Sequence, residues 1–181
     1  CESAESASSP SFFTKGFSVL NRAMKIQLLV VGATTIPYVK NGIQEFTDRI
    51  RRFPTPFEIK VVADVKTSKK TTPDAQKQAE GTAILANVQP SDHLVLLDER
   101  GRQYTSREFA TFIEQKGVAG VRNLIFVVGG PYGFSEEVYK RANTLLSLSK
   151  MTFPHELVRL LFVEQIYRAY TITANMPYHH D

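Results

Sequence analysis

The sequence contains one cysteine, Cys1, and no apolar run near the roughly 20 residues that cross a bilayer. A single cysteine excludes an intramolecular disulfide and any zinc site built from several cysteines. The 4 histidines do not follow metal-site spacing, so we expect no metal. These absences favour a soluble protein of a reducing cytoplasm, without a membrane partner.

Composition and charge are those of an ordinary globular domain. Of the 181 residues, 43% are hydrophobic and 22% are charged, which separates the chain from disordered proteins. The formal net charge of +4 gives a mild bias toward anionic partners such as nucleic acid, although many basic proteins bind none. The length fits one domain with a single substantial core.

The first 23 residues differ from the rest of the chain. They are rich in serine and show no periodic pattern, whereas a regular pattern begins directly after Met24. They lack the long apolar segment of a secretory signal, and Glu2 and Glu5 argue against an organellar transit peptide. We expect residues 1–23 to be a disordered leader or cloning remnant, with a lipid-modified Cys1 as the alternative, and residues 24–181 to form a single domain.

The hydrophobic pattern predicts strands that alternate with helices. Short apolar runs predict strands at residues 25–32, 57–65, 93–97, 123–128 and 144–149. Apolar residues at three- and four-residue spacing predict helices from Pro37 to before Pro54, from Pro73 to about Val88, after a Ser106 N-cap, after a Ser135 cap, and from Pro154 to about Tyr170. Several strands are apolar on both faces, which predicts an α/β fold with a mostly parallel sheet flanked by helices.

Ligands of open α/β sheets bind beyond the carboxyl ends of the strands, which directs attention to the loops after Leu97, Val128 and Leu148. The second loop, GGPYGF, contains Gly129 and Gly130, where a backbone can approach a ligand closely. It matches neither the G-x-G-x-x-G signature nor the P-loop, which argues against dinucleotide and triphosphate binding. A tight turn between strand and helix is the simpler interpretation of these glycines.

The third loop, SKMTFPH, joins the last strand to the last helix. It combines two hydroxyls and a lysine with Met151 and Phe153, which can form apolar walls around an adenine-like group. The alternative interpretation is a helix cap followed by core side chains.

A basic segment, KTSKK, lies between the second strand and the second helix. Its lysines, Lys66, Lys69 and Lys70, are placed to bind phosphates. An ordinary solvated loop is the equal alternative, because exposed lysines are common and no aromatic residues accompany them.

The last predicted helix carries more polar groups than a core helix needs. His155 and Arg159 are four residues apart, as are Glu164 and Arg168, so each pair lies on one side of the helix. Glu164 before Arg168 is also the usual order of a simple surface ion pair, and a tail such as NMPYHHD is often just disordered. The apolar face predicted to enter the core consists of Leu157, Val158, Leu160, Leu161, Val163 and Ile166.

The segments KIQLLVVG, VVGGPYGFS, LSLSKMTFPHELVRLLFVEQIYRAY and PYHHD resemble the bacterial 23S ribosomal RNA pseudouridine-N3 methyltransferases of the SPOUT superfamily. The resemblance extends from Met24 to Asp181. It implies an α/β domain with a C-terminal trefoil knot, a rare exception to the rule that chains do not thread loops. It also implies a homodimer, S-adenosylmethionine as methyl donor, and methylation of 23S rRNA within the assembled ribosome.

The resemblance further assigns site residues. RNA-facing and catalytic roles fall on His155, Arg159, Arg168, Tyr178 and His179, with His179 and Tyr178 as a catalytic tail supplied near the partner subunit's cofactor. A histidine, or a tyrosine with a lowered pKa, would take the N3 proton. Many relatives have an arginine in place of His180, so one phosphate contact differs. The cofactor pocket falls on Leu97, Gly129, Gly130, Leu148, Ser149, Lys150, Met151, Thr152 and Phe153.

Two alternatives stand beside this function. A non-catalytic ribosome-assembly or RNA-binding factor would keep the fold without turnover, and loss of cofactor binding would identify it. An enzyme that uses a nucleotide or nicotinamide on a doubly wound sheet is the second alternative, and the missing glycine signatures argue against it.

Overall fold

The computed structural model describes residues 24–62 and 71–180. Several predicted features lie outside these ranges. They are the leader (residues 1–23), the end of the second predicted strand, the lysines Lys66, Lys69 and Lys70, and Asp181. The described strands are β1 (Lys25–Val31), β2 (Phe57–Val62), β3 (His93–Gln103), β4 (Asn123–Val128) and β5 (Thr144–Ser147). The described helices are α1 (Pro37–Ile50), α2 (Pro73–Leu85), α3 (Ser106–Val118), α4 (Glu136–Arg141) and α5 (His155–Thr173).

The strands form one sheet in the order β2-β1-β4-β3-β5, and every pairing is parallel. In the centre of this sheet, Leu28 of β1 lies between Ile59 of β2 and Phe126 of β4. Because all strands point the same way, their carboxyl ends meet at one edge of the sheet. The predicted α/β class and parallel sheet are therefore confirmed.

Helices cover both faces of the sheet. Successive residues of β1 alternate between the two faces, so that Leu28 packs against one layer and Leu29 against the other. The first layer contains α1, α3 and α5, with Phe109 and Phe162 close to Phe126. The second layer contains α2 and α4, through residues such as Ile84 and Val138. Burial on both faces explains the continuous apolar runs of the central strands.

Strand β3 is longer than predicted. The sequence predicts a strand that ends at Leu97, before the charged residues Asp98, Glu99 and Arg100, but β3 continues to Gln103. Leu97 and Arg102 both pair with Leu146 of β5, so residues 98–101 bulge out of the ladder. Gly101 allows β3 to resume its pairing with β5 after the bulge, because a Cβ at this position would lie 2.5 Å from the backbone of Leu146. The pairing partner, which is distant in sequence, therefore overrides the local turn signal.

Two helix starts differ from the predictions. Thr105, rather than Ser106, is the N-cap of α3, because its side chain accepts from the backbone of Glu108 while Glu108 bonds back to Thr105. Pro154 precedes α5, which begins at His155 and ends at Thr173. Ser135 occupies the predicted cap position of α4, but its side chain makes no capping hydrogen bond.

The buried face of α5 is rotated relative to the prediction. Val163 and Ile166 are in the core as expected, whereas Leu157, Val158, Leu160 and Leu161 are only partly buried. The helix packs between α1 and α3, which draws a different set of side chains inside. Additional buried residues of α5 are Glu156, Arg159, Phe162, Ala169, Tyr170 and Thr171.

No helix within the described residues is both long and apolar enough to cross a membrane. The trefoil knot and the single-domain boundary at residue 24 stay predictions.

Candidate active site

A cavity of about 540 Å³ opens at the carboxyl ends of β3, β4 and β5. Its wall includes all the predicted cofactor residues except Lys150, together with His155 at the start of α5. The loops after Leu97, Val128 and Leu148 are thus brought together, as the strand-end argument predicted. The cavity has the size of a small-molecule site.

The glycine turn after β4 is shaped by close packing. A Cβ on Gly129 would lie 2.9 Å from the ring of Phe134, and a Cβ on Gly130 would lie 2.4 Å from Oε2 of Glu80. Gly133 adopts a positive φ of 76°, which side-chain-bearing residues rarely adopt. The segment is therefore a tight turn, and it is also one wall of the cavity.

The loop after β5 is held by its own serines. Ser147 Oγ donates to the carbonyl oxygen of Ser149 at 2.9 Å, and the amide of Met151 donates to Ser149 Oγ at 2.9 Å. Ser147 is buried, whereas the Met151 side chain is 71% exposed. Phe153 is partly buried and, with Met151, forms the apolar part of this wall, in agreement with the predicted apolar walls.

The bulge of β3 contributes Asp98, Glu99 and Arg100 to the cavity wall, and none of these was predicted from the sequence. Asp98 accepts hydrogen bonds from Nε of Arg100 at 3.0 Å and from the hydroxyl of Tyr139. The guanidinium carbon of Arg100 lies 4.6 Å from the centre of the Tyr139 ring. Burial alone would raise the pKa of Asp98, but these donors hold it below its ordinary value. The available signal was a charged run directly after a buried strand.

Arg159 lies inside the fold. It is 1% exposed, and it donates to the carbonyl oxygens of Val31 at 2.6 Å and Gly32 at 2.9 Å, and to Thr34 Oγ1 at 3.0 Å. His155, by contrast, is exposed and lines the cavity. The two residues predicted to share one side of the helix therefore have different surroundings in this chain, and their RNA-facing role stays a prediction.

Glu156 makes a second connection between α5 and the loop after β1. Its carboxylate accepts from the amides of Ile36 at 3.0 Å and Thr35 at 2.8 Å, and from Thr35 Oγ1 at 2.7 Å. These donors lower the pKa of Glu156 to about 2. Glu156 was not among the predicted site residues, and a glutamate in the first turn of a helix is by itself common.

The predicted catalytic tail packs against the second half of α5. Glu164 and Arg168 form the predicted ion pair at 2.6 Å, and the hydroxyl of Tyr178 donates to Glu164 at 3.0 Å. His179 Nδ1 lies 3.3 Å from Nη1 of Arg168, whose guanidinium carbon is 4.8 Å from the centre of the Tyr178 ring. We call these four residues the tail cluster. The pair is thus more than a simple surface ion pair, because it holds the tail.

Tyr178 does not have the lowered pKa that a catalytic base would need. Burial against α5, followed by the hydrogen bond to Glu164, raises its pKa above the ordinary value. In this arrangement Tyr178 is a proton donor to Glu164, which favours the histidine of the two predicted bases, and the catalytic role of the tail stays a prediction.

The tail cluster and the cavity are separate within one subunit. No member of the cluster is part of the cavity wall formed by the described chain. The helix from Val158, the last residue of α5 in the cavity wall, to Glu164 rises roughly 9 Å at 1.5 Å per residue. Among residues 24–62 and 71–180, no group of three or more acidic, histidine or cysteine side chains is arranged to hold a metal.

Comparison with known proteins agrees with this geometry. Residues 24–179 match the family model described as "Predicted SPOUT methyltransferase". The chain belongs to the SPOUT methyltransferase family. A family relative from Parabacteroides distasonis, named Ribosomal RNA large subunit methyltransferase H, is 51% identical over 158 residues, which cover 87% of this chain and 100% of the relative. A protein of the same name from Christiangramia forsetii is 48% identical over 157 residues, covering 87% and 99%.

The fold of this family member also resembles a solved structure. The crystal structure of a probable methyltransferase from Bordetella pertussis Tohama I superimposes with a TM-score of 0.51. It covers 84% of this chain and 98% of its own, at 10% sequence identity. At that identity the likeness concerns the fold alone.

Proposed function

We propose that this SPOUT protein is a ribosomal RNA methyltransferase that transfers the methyl group of S-adenosylmethionine to N3 of a pseudouridine in 23S rRNA. The observation that carries the proposal is the cavity of about 540 Å³ at the three strand ends, in a chain 51% identical to a named large-subunit rRNA methyltransferase. It acts on the assembled ribosome, in the bacterial cytoplasm.

The residues present fit the methyl donor. The glycine turn of Gly129 and Gly130 leaves backbone exposed on one wall, where no side chain would have room. Met151 and Phe153, which also line the cavity, provide apolar surface for an adenine ring. The loop held by Ser149 adds backbone donors and acceptors for the edge of that ring. Lys150 belongs to this loop without lining the cavity.

The chain must remove a proton and exclude water. When bound, S-adenosylmethionine supplies an electrophilic methyl carbon, whose bond to sulfur breaks as its bond to N3 forms. Before this, the N3–H proton passes to a base, and we assign that role to Nδ1 of His179, which must release Arg168 in order to accept the proton. Tyr178 remains protonated and orients the tail through Glu164, while Arg168 stabilises the negative charge on the neighbouring carbonyl oxygens.

A second copy of the chain is needed to complete the site. Within one subunit no member of the tail cluster lines the cavity, and roughly 9 Å of helix separate Val158 of the cavity wall from Glu164 of the cluster. A symmetric homodimer that places one subunit's tail beside its partner's cavity brings base and donor together. We therefore propose a homodimer in which each active site uses residues of both subunits.

Recognition of the RNA depends on the shape of the assembled ribosome. The net charge of +4 is modest for a protein that holds RNA by phosphate contacts alone. His155 is exposed at the mouth of the cavity, where it can meet the target nucleotide. His180, at a position where many relatives have arginine, removes one permanent positive charge from the tail.

The deciding experiment uses residues 24–181 and ribosomes from cells that lack the enzyme. Calorimetry measures binding of S-adenosylmethionine, and labelled donor is then offered to intact ribosomes and to separated subunits. Binding with label on 23S rRNA only in intact ribosomes supports the proposal. Binding without transfer to any particle contradicts the substrate assignment, and absence of binding favours a non-catalytic assembly factor.

A further inference from the structure

Glu80 carries a buried carboxylate that the proposed reaction does not use. It lies on α2, and the residue is 2% exposed. Its Oε1 accepts a hydrogen bond from Nε2 of Gln76 at 2.8 Å. Its Oε2 has no hydrogen-bond partner among the described residues. Burial of a carboxylate oxygen without a partner is unfavourable, so the position calls for a functional explanation.

The unpartnered oxygen faces the glycine turn that forms one wall of the cavity. A Cβ on Gly130 would lie 2.4 Å from Oε2 of Glu80 and 2.7 Å from its Oε1. Gly130 itself lines the cavity. The carboxylate therefore lies directly behind the wall, and it approaches this closely only because position 130 has no side chain.

The charge of Glu80 is less compensated than the other charges near the cavity. Asp98 and Arg100 form an ion pair at 3.0 Å and largely neutralise each other. Glu99 is exposed, so solvent screens its charge. Glu80 has neither an ion-pair partner among the described residues nor contact with solvent. In the protein interior such a charge acts more strongly than at the surface.

We propose that Glu80 is a positioning residue that favours the cationic methyl donor over its neutral product, acting through the Gly130 wall. This inference rests on the proposed function. S-adenosylmethionine has two positively charged groups, a sulfonium and an ammonium, and one negatively charged carboxylate. Loss of the methyl group converts the sulfonium to a neutral thioether. Attraction by Glu80 therefore strengthens donor binding and is weaker for S-adenosylhomocysteine, which promotes exchange of product for donor.

The test replaces the charge and keeps the shape. Glu80→Gln retains an oxygen that accepts from Gln76. By calorimetry, we expect the affinity for S-adenosylmethionine to fall about tenfold and that for S-adenosylhomocysteine to change less than about twofold. The matched control is Glu136→Gln, which removes the same charge from an exposed position at the start of α4 and should alter neither affinity.

Each outcome decides the inference. Equal losses for both ligands would assign Glu80 a structural role only, and unchanged affinities would also overturn the proposal. If Glu80→Gln does not fold, wild-type protein is titrated with sinefungin, which carries an ammonium where the donor has its sulfonium. Sinefungin should then bind several-fold more tightly than S-adenosylhomocysteine, and equal affinity overturns the proposal. Wild-type protein that binds none of these ligands contradicts the proposed function as well.

Discussion

Nη2 of Arg159 donates a hydrogen bond to the carbonyl oxygen of Val31 over 2.6 Å, and this bond joins the first turns of α5 to the carboxyl end of β1. The same side chain reaches Gly32 and Thr34. The guanidinium of Arg159 is therefore buried, next to the edge of the sheet at which the cavity opens.

Arg159→Met removes these bonds and leaves two backbone carbonyl groups without their donors. We expect the free energy of unfolding, measured by urea denaturation, to fall by about 3 kcal/mol. Arg52→Met, at an exposed arginine after α1, is the control and should change it by less than about 0.5 kcal/mol. Unchanged stability combined with lost methylation would instead place Arg159 at the RNA.

Glu156 makes stability depend on pH in the acid range. Folding lowers its pKa from the ordinary 4.5 to about 2, so its contribution is complete above about pH 4.5 and is lost as the pH falls toward 2. The difference in unfolding free energy between wild type and Glu156→Gln should therefore be largest near neutral pH and shrink below pH 4.5. Urea unfolding across this range measures it, with the exposed Glu45→Gln as control. A constant difference would contradict the assignment.

Gly130→Ala should damage the cavity wall. The added methyl group collides with the Glu80 carboxylate, which has little space in which to move. We expect a loss of about 1–3 kcal/mol in unfolding free energy and at least a tenfold loss in affinity for S-adenosylmethionine. Gly120→Ala adds a methyl group in open space at a positive φ, so it should cost about 1 kcal/mol of stability and leave donor affinity unchanged. If both variants lost the same affinity for S-adenosylmethionine, the loss in Gly130→Ala could not be assigned to the cavity wall.

Substitutions in the tail cluster should separate catalysis from donor binding. His179→Ala removes the proposed base, and we expect kcat to fall by about 100-fold or more. Tyr178→Phe removes the hydrogen bond to Glu164 and should lower kcat by a smaller factor. Donor affinity should not change, because no member of the cluster lines the cavity of its own subunit and the proposed role of the cluster concerns the N3 proton rather than the donor. The assignment is wrong if both variants methylate ribosomes at the wild-type rate; Tyr38→Phe, at an exposed tyrosine, is the control.

The start of α3 offers a direct comparison of two neighbouring hydroxyls. Thr105 accepts the capping bond from Glu108, whereas Ser106 contacts Gln165. Thr105→Ala should lower the unfolding free energy by about 1 kcal/mol, and Ser106→Ala should lower it less. Thermal or urea unfolding of both variants measures the order. The reverse order would restore Ser106 as the cap.

Much of the fold followed from local pattern. The runs that became β1 and β4 are apolar on both faces, and only a covered parallel sheet buries both faces of such strands. The same reasoning located the three loops of the cavity, because parallel strands bring their carboxyl ends to one edge. The prediction of β3 was too short because a bulge opposite Leu146 cannot be recognised without knowing that β5 lies there.

The amino-acid sequence by itself determined the alternation of strands and helices and the three loops that form most of the cavity, because these follow from spacing and residue type, which act locally. The resemblance of its motifs also indicated the family. The tertiary structure alone decided that Arg159 lies inside, that Glu80 lies behind Gly130, and that the tail is held on α5 by Glu164 and Arg168. Such pairs are separated along the chain, and burial and hydrogen bonding between distant residues exist only once the sheet and its layers have formed.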